Sequence, residues 1–515
     1  MRTLESYISG SWQAASEDLS TLVNPSNGEA IAQTGTRGLD LRAALEHARD
    51  VGGPTLRAMS FAERGALLKT MSKSLHAVRD ALIEASMINA GTTRSDSKFD
   101  IDGATGTLAY YASLGKRLGD RSYVIEGEGE QLTQSARFWG HHVRVPLRGA
   151  AVHINAFNFP AWGLAEKAAV AILAGMPVVS KPATSTSLVA HEMMRRLTDE
   201  KVLPDGVLQF VCGSAGDMLE HLAAQDVLAF TGSGSTGTLL RSLRNVVGRS
   251  VRVNVEADSL NAAVLGPDVE PGSDTYQMFI RDCTKEITQK TGQKCTATRR
   301  IFIAEGMLDR VRDDLAENLD TIKVGDPTAE GVRMGPLATG QQLRDVRQGI
   351  ARLVEAGAEI VYGSSTEVDR IGGSDAGFFI GPVLLRADSP RDVGAVHEHE
   401  VFGPVATVMP YRSPEDAAEL VALGEGGLVS SVYSDDREVL KTLIVGLGPY
   451  NGRILVGSKK IADQAISPGL VLPSCVHGGP GRAGGGEELG GERGLAFYTQ
   501  RTAVQGDRAL LDKLL

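Results

Sequence analysis

The sequence predicts an α/β fold. Short apolar runs alternate with amphipathic helices between residues 148 and 260, and a similar rhythm returns between 260 and 475. Parallel strands joined by helical crossovers give that pattern. The chain is also rich in glycine (60 residues) and poor in aromatics (5%), as expected of a protein built from many tight βα turns. Its 515 residues suffice for about two to four domains at roughly 100–200 residues each.

In order along the chain, residues 7–12 read as a short strand and turn. Asn24-Pro25-Ser26-Asn27-Gly28 is a turn signal. Apolar positions at helical spacing make 39–120 helix-rich. A buried strand at 149–154 precedes a helix at 163–174, a strand at 177–181, a helix around 193–197 and a strand at 207–211. This βαβ order implies a parallel sheet with right-handed crossovers. In the second half, strands at 300–303 and 359–362 flank a helix near 307–319. The glycine-rich text at 478–486 would suit a flexible linker on its own. Because ordered-looking sequence follows at 495–499, a mobile or tightly turned loop near a site is expected as readily.

Hydrophobic residues at 42% and charged residues at 23% are ordinary for a globular enzyme. A formal charge of −10 disfavours a general nucleic-acid binder, which needs excess positive charge to displace counterions. Cys212, Cys283, Cys295 and Cys475 are scattered, without metal-ligand spacing, so free thiols in a reducing cytoplasm and no metal are expected. The N-terminus lacks an apolar signal core, and no apolar run is long enough to span a membrane.

The chemistry-bearing residues occur in short motifs. Cys295 closes Thr291-Gly292-Gln293-Lys294-Cys295, where small residues before a nucleophile would let substrate and cofactor approach. A lone cysteine is more often a small buried apolar residue, the reading given to Cys212, Cys283 and Cys475. Glu256 ends the apolar run 251–255, where a carboxylate faces the crevice of an open α/β sheet. Asn158 lies in Asn155-Ala156-Phe157-Asn158-Phe159-Pro160, and its amide is a donor suited to a developing oxyanion. Gly232 and Gly237 bracket Thr231-Gly232-Ser233-Gly234-Ser235-Thr236-Gly237, a turn between an apolar run and a helix start that fits a phosphate. Glu400 and Phe402 stand in Glu400-Val401-Phe402-Gly403-Pro404.

In this order the motifs resemble the aldehyde dehydrogenase superfamily, over residues 7 to 504. The resemblance implies a Rossmann-like cofactor domain (1–124 and 148–258), an α/β catalytic domain (259–478) and a small β-ribbon for oligomerisation (125–147 and 496–515). It implies an NAD(P)-dependent oxidoreductase in which Cys295 adds to an aldehyde and a thioester is then hydrolysed. Glu256 would be the base, Asn158 the oxyanion donor, and Lys167 with Glu488 a proton relay. Ser233 would touch pyrophosphate in the turn of Gly232 and Gly237, alongside Ile154 and Gly213. Lys181 and Thr184 would meet the adenosine ribose, and Glu400 and Phe402 the nicotinamide side.

Thr184, where NAD-preferring members carry a glutamate, favours NADP, with NAD as the alternative. The pattern after Glu256 departs from the family's, with Ala257 and Asp258 in place of glycines, and the 39 residues from Glu256 to Cys295 imply an extension near 272–281. The closing text His477 to Gly491 looks like aldehyde dehydrogenases of aerobic aromatic degradation through CoA thioesters. That branch includes a form with a fused hydratase domain and a stand-alone form, and an end at Leu515 suits the latter. The expected partners are an aldehyde, free or CoA-linked, and further copies of the chain as a homodimer or higher homo-oligomer. A CoA-acylating enzyme and a non-catalytic protein on the same fold are the alternatives.

Overall fold

The computed structural model describes residues 1–464 and 466–515. Two seven-stranded sheets organise it. In the first, the strand order is Arg252–Glu256, Val227–Thr231, Ala151–Ile154, Val178–Lys181, Leu208–Phe210, Ser6–Ile8, Ser11–Gln13. The first five are mutually parallel, whereas the N-terminal hairpin adds an antiparallel edge. The sheet is thus mixed rather than wholly parallel, because a two-residue turn at Ser9-Gly10 can join only antiparallel neighbours.

Strand order reverses between Ala151–Ile154 and Val227–Thr231, since the chain runs outward from the first strand to one side and then returns to the other. Open α/β sheets have their crevice at the carboxyl ends of strands at such a switch point. Ile154, Thr231 and Glu256 end three adjacent strands there.

The helix Trp162–Ala174 lies wholly in the core apart from half-buried Glu166. It packs against the long helices Phe61–Ala77 and Arg94–Leu118, whose apolar faces share its cluster with Leu68, Leu108 and Tyr111. A reciprocal capping box between Ser60 and Glu63 starts the first of these. The second sheet runs Glu359–Tyr362, Val383–Arg386, Val405–Tyr411, Arg300–Ala304, Ala262–Leu265, Gly427–Tyr433, Asn451–Gly457, with only the first strand antiparallel to its neighbour. Where an extension is expected, residues 274–281 begin the helix Asp274–Thr288, capped by Ser273.

A third sheet pairs Val124–Gln131 with Phe138–Pro146, and Phe138–Pro146 with Thr499–Asp507 over nine residue pairs. Residues flanking that last strand are helical, in Leu495–Tyr498 and Arg508–Leu514. The glycine-rich tail is an antiparallel hairpin, Val476–Gly479 with Gly486–Leu489, rather than a linker. Its backbone is fixed because Asn254 holds it by two contacts. The Asn254 amide donates to Glu488 (3.1 Å), and Glu487 N–H donates to the Asn254 carbonyl (3.0 Å).

Candidate active site

Cys295 lies between the helix Asp274–Thr288 and the strand Arg300–Ala304, on a segment held from several sides. Lys290, Thr291 and Gly292 all have positive φ (53°, 57° and 66°). A β-carbon on Gly292 would lie 2.1 Å from the Gly403 carbonyl oxygen. Gly292 therefore has no room for a side chain, because the Gly403 backbone crosses it. Lys290 is buried with its ammonium 4.0 Å from the Phe159 ring centre and 4.0 Å from Asp100. Lys294 and Glu286, both fully buried, pair at 2.6 Å. Asn261 donates to the Cys295 and Ala297 carbonyls at 2.8 Å each and accepts from Leu428 and Val429 N–H. Arg299 donates to the carbonyls of Gly292, Lys294 and Gly403 and pairs with Glu400 at 3.3 Å. These contacts fix the cysteine segment against the Glu400 loop.

Around the sulfur the structure gathers Asn158, Glu256 and His477. The Asn158 amide donates to the Gln293 carbonyl at 3.0 Å, which uses one of its two protons. His477 Nε2 stands 3.3 Å from Glu256 Oε2 and 3.8 Å from Cys295 Sγ. Burial works to raise the Glu256 carboxyl, but His477 and then Lys167 outweigh it and hold the group down to about 2. Burial pushes the Cys295 thiol well up, and Glu256 adds to that.

Behind Glu256, Lys167 Nζ lies 3.1 Å from Glu488 Oε2, as an ion pair rather than an aligned hydrogen bond, and 3.3 Å from Glu166 Oε1. Oxygens of Glu166, Glu256 and Glu488 fall within 4.8 Å of one another. Burial drives Glu488 up to about 7 although Lys167 opposes it. An apolar pocket walled by Phe159, Trp162 and Val471 opens onto the same sulfur.

A cleft of about 600 Å³ meets that pocket at Cys295 and is lined by Gly232, Ser233, Glu400 and Phe402. Ser233 caps the helix Gly234–Arg241 at its N-terminus. The Thr231 hydroxyl lines the cleft, buried and without a partner. Burial pushes Glu400 up to about 7 against the pull of Arg299. Phe402 packs edge-on to Phe157, with ring centres 5.8 Å apart.

Lys181 ends its strand beside Ala183 in the cleft wall, and Thr184 opens the adjoining turn Thr184–Thr186, half-buried. Ile154 ends the central strand. Gly237 and Gly213 are closely packed: a β-carbon would meet Val255 at 2.8 Å on the former and the Gly35 backbone at 2.8 Å on the latter.

Sequence reasoning missed His477, Glu166 and Arg299. The one available signal was Glu166-Lys167, a charged pair inside an otherwise apolar helix. Cys212 and Cys283 are buried as expected, but Cys475 is exposed because the segment before the hairpin faces outward.

The Aldehyde dehydrogenase family model matches residues 12–504, and the chain belongs to that family. It is an NAD(P)-dependent aldehyde dehydrogenase. The chain is 41% identical to the 3,4-dehydroadipyl-CoA semialdehyde dehydrogenase of Aromatoleum evansii over 478 residues, 93% of each protein. It is 29% identical to the hydroxyisobutyraldehyde dehydrogenase of Mycolicibacterium austroafricanum, over 96% of this chain and 92% of that one. The fold matches an NAD+ complex of an aldehyde dehydrogenase from Bacillus cereus with a TM-score of 0.84, at 22% identity and covering 98% and 97% of the two chains.

Proposed function

We propose that the protein oxidises a CoA-linked semialdehyde, 3,4-dehydroadipyl-CoA semialdehyde or a near analogue, to the free carboxylic acid with NADP during aromatic-compound degradation. The observation that carries this reading is the 41% identity over 93% of both chains to an enzyme named for that substrate. Cys295, Glu256 and Asn158 around one pocket support the chemistry.

The Cys295 thiolate attacks the carbonyl carbon, and the oxyanion of the resulting thiohemiacetal is met by the free amide proton of Asn158. The dinucleotide, when bound, supplies the hydride acceptor. Its fit is supported by the switch-point cleft, the Ser233-capped helix and the unpartnered Thr231 hydroxyl. Ser233 and the turn at Gly232 take the phosphates, Lys181 and Thr184 the adenosine ribose, and Glu400 with Phe402 the nicotinamide end. Glu256 takes a proton from the water that hydrolyses the thioester, and Lys167, Glu488 and Glu166 carry that proton away. The carboxylate's position 3.3 Å from His477 gives it a proton-sharing neighbour.

Residues 1–124 and 148–258 form the cofactor domain and 259–478 the catalytic one. The three-stranded ribbon serves assembly into a homodimer or higher homo-oligomer, and the enzyme works in the cytoplasm.

The test is a panel of free and CoA-linked semialdehydes with NADP and with NAD, followed by absorbance of the reduced cofactor and identification of the product. The reading requires a higher kcat/KM for the CoA-linked members and a free acid as product. Equal rates for free aldehydes refute the CoA assignment, an acyl-CoA product indicates the acylating alternative, and no reduction with any aldehyde indicates a binding protein.

A further inference from the structure

His477 opens the closing text but has no role in the reading of the motifs, yet it is a cationisable side chain in contact with the sulfur. It sits on the hairpin strand Val476–Gly479 and is 4% exposed. Its Nε2 is shared by Cys295 Sγ at 3.8 Å and Glu256 Oε2 at 3.3 Å. Its Nδ1 is buried with no hydrogen-bond partner. One nitrogen thus meets both the thiol and the carboxylate. A ring acting only as a spacer would have no need to present a titrating atom to both.

We propose that His477 Nε2 accepts the proton of the Cys295 thiol, leaving a thiolate–imidazolium pair braced by the Glu256 carboxylate. This rests on the reading of Cys295 as the nucleophile. The S–H bond breaks, an N–H bond forms, and the charge of the three groups together is unchanged. Glu256 is held down to about 2 chiefly by the charged ring itself, so the carboxylate's part in this step is to brace the imidazolium once it has formed. Burial and Glu256 push the lone thiol well up, so a thiolate forms here only where its proton is kept beside it, on the ring 3.8 Å away. Burial opposes the charged ring here, but Glu256 more than offsets it.

The other charged groups facing the ring are Glu166 on the helix Trp162–Ala174, Glu488 on the hairpin's second strand and Arg453 on Asn451–Gly457. The two carboxylates favour the imidazolium, and Arg453 opposes it. Once the thioester forms, the sulfur carries no charge. The ring's remaining counter-charge is then Glu256, the group that must next take a proton from water. His477 is thereby a catalytic residue of the first half-reaction.

The experiment measures the thiol itself, without aldehyde. The holoenzyme is alkylated with iodoacetamide across pH, and the rate at Cys295 is followed by peptide mass spectrometry to separate it from exposed Cys475. In the parent protein, alkylation is expected to persist well below the ordinary thiol range. In His477→Gln the profile moves up, with a rate about tenfold lower at neutral pH per unit moved and convergence at alkaline pH. Added imidazole is expected to restore neutral-pH alkylation in His477→Gly, which a structural role would not allow. A parent profile with a single limb at or above the ordinary thiol value of about 8.5 overturns the proposal even if both variants fail to fold, as does an unchanged profile in folded His477→Gln. Cys295→Ala tests the underlying reading separately: turnover retained in that variant removes Cys295 as nucleophile whatever the alkylation profile.

Discussion

Replacing Gly292 by alanine asks whether the cysteine segment needs space or backbone contact. Two costs follow from the geometry. The backbone at φ 66° places an L side chain in the left-handed region, at about 1–2 kcal/mol. The new β-carbon would sit 2.1 Å from the Gly403 carbonyl oxygen, so the segments must part by about an ångström, and such overpacking costs about 1–3 kcal/mol. The sum, about 2–5 kcal/mol, falls on the contact between the nucleophile segment and the Glu400 loop. Arg299 bridges the same contact through the Gly292 and Gly403 carbonyls. A displacement of about an ångström at the reacting sulfur lowers turnover roughly a hundredfold.

Gly292→Ala is therefore expected to melt below the parent, lose about two orders of magnitude in kcat/KM, and bind cofactor more weakly because Glu400 moves with its partner. Thermal denaturation, single-turnover hydride transfer and a cofactor titration measure the three effects. Parent-like melting together with a parent-like burst would refute the crossing-backbone account and return Gly292 to the role of leaving room for substrate.

Glu256→Gln is expected to keep a burst of reduced cofactor while steady turnover slows, because deacylation depends on the base more than hydride transfer does. Equal loss of both phases would place Glu256 in thiol activation instead. Thr184→Glu should weaken NADP far more than NAD, since a carboxylate repels a 2′-phosphate near Lys181; parallel losses in kcat/KM would show that Thr184 does not read the phosphate. Glu400, raised to about 7, gains its proton as pH falls through neutrality and then loses acceptor capacity. Cofactor affinity should rise with pH through neutrality in the parent and stay flat in Glu400→Gln, and identical pH dependence in both would remove Glu400 from the cofactor's contacts.

Local pattern was legible where local physics decides. The strand at 359–362 and the helix at 163–174 match Glu359–Tyr362 and Trp162–Ala174 because apolar spacing and flanking glycines suffice there. The position of Glu256 at a strand end was legible for the same reason. The hairpin at Val476–Gly479 and Gly486–Leu489 was not, since its glycines look like a linker until Asn254, more than two hundred residues earlier, supplies the contacts that hold it. His477 was legible as the start of the distinctive closing text but not as a neighbour of the sulfur, because both its partners are distant in the chain. Arg299 likewise looks like a surface cation, and only the meeting of two loops makes it a bridge.

The hairpin's late place in the chain has a consequence for synthesis. Domains form as they emerge from the ribosome, at about 5–20 residues per second, and most of both large sheets precedes residue 460. The sulfur, its carboxylate and the Asn158 amide are therefore all translated well before His477 and Glu488. Until those last two arrive, Glu256 and Lys167 lack their partners at 3.3 and 3.1 Å. A nascent chain without this hairpin thus holds the Cys295 thiol without its neighbouring imidazole. Completion of the site therefore follows synthesis of this hairpin, after the strands of both large sheets have been made.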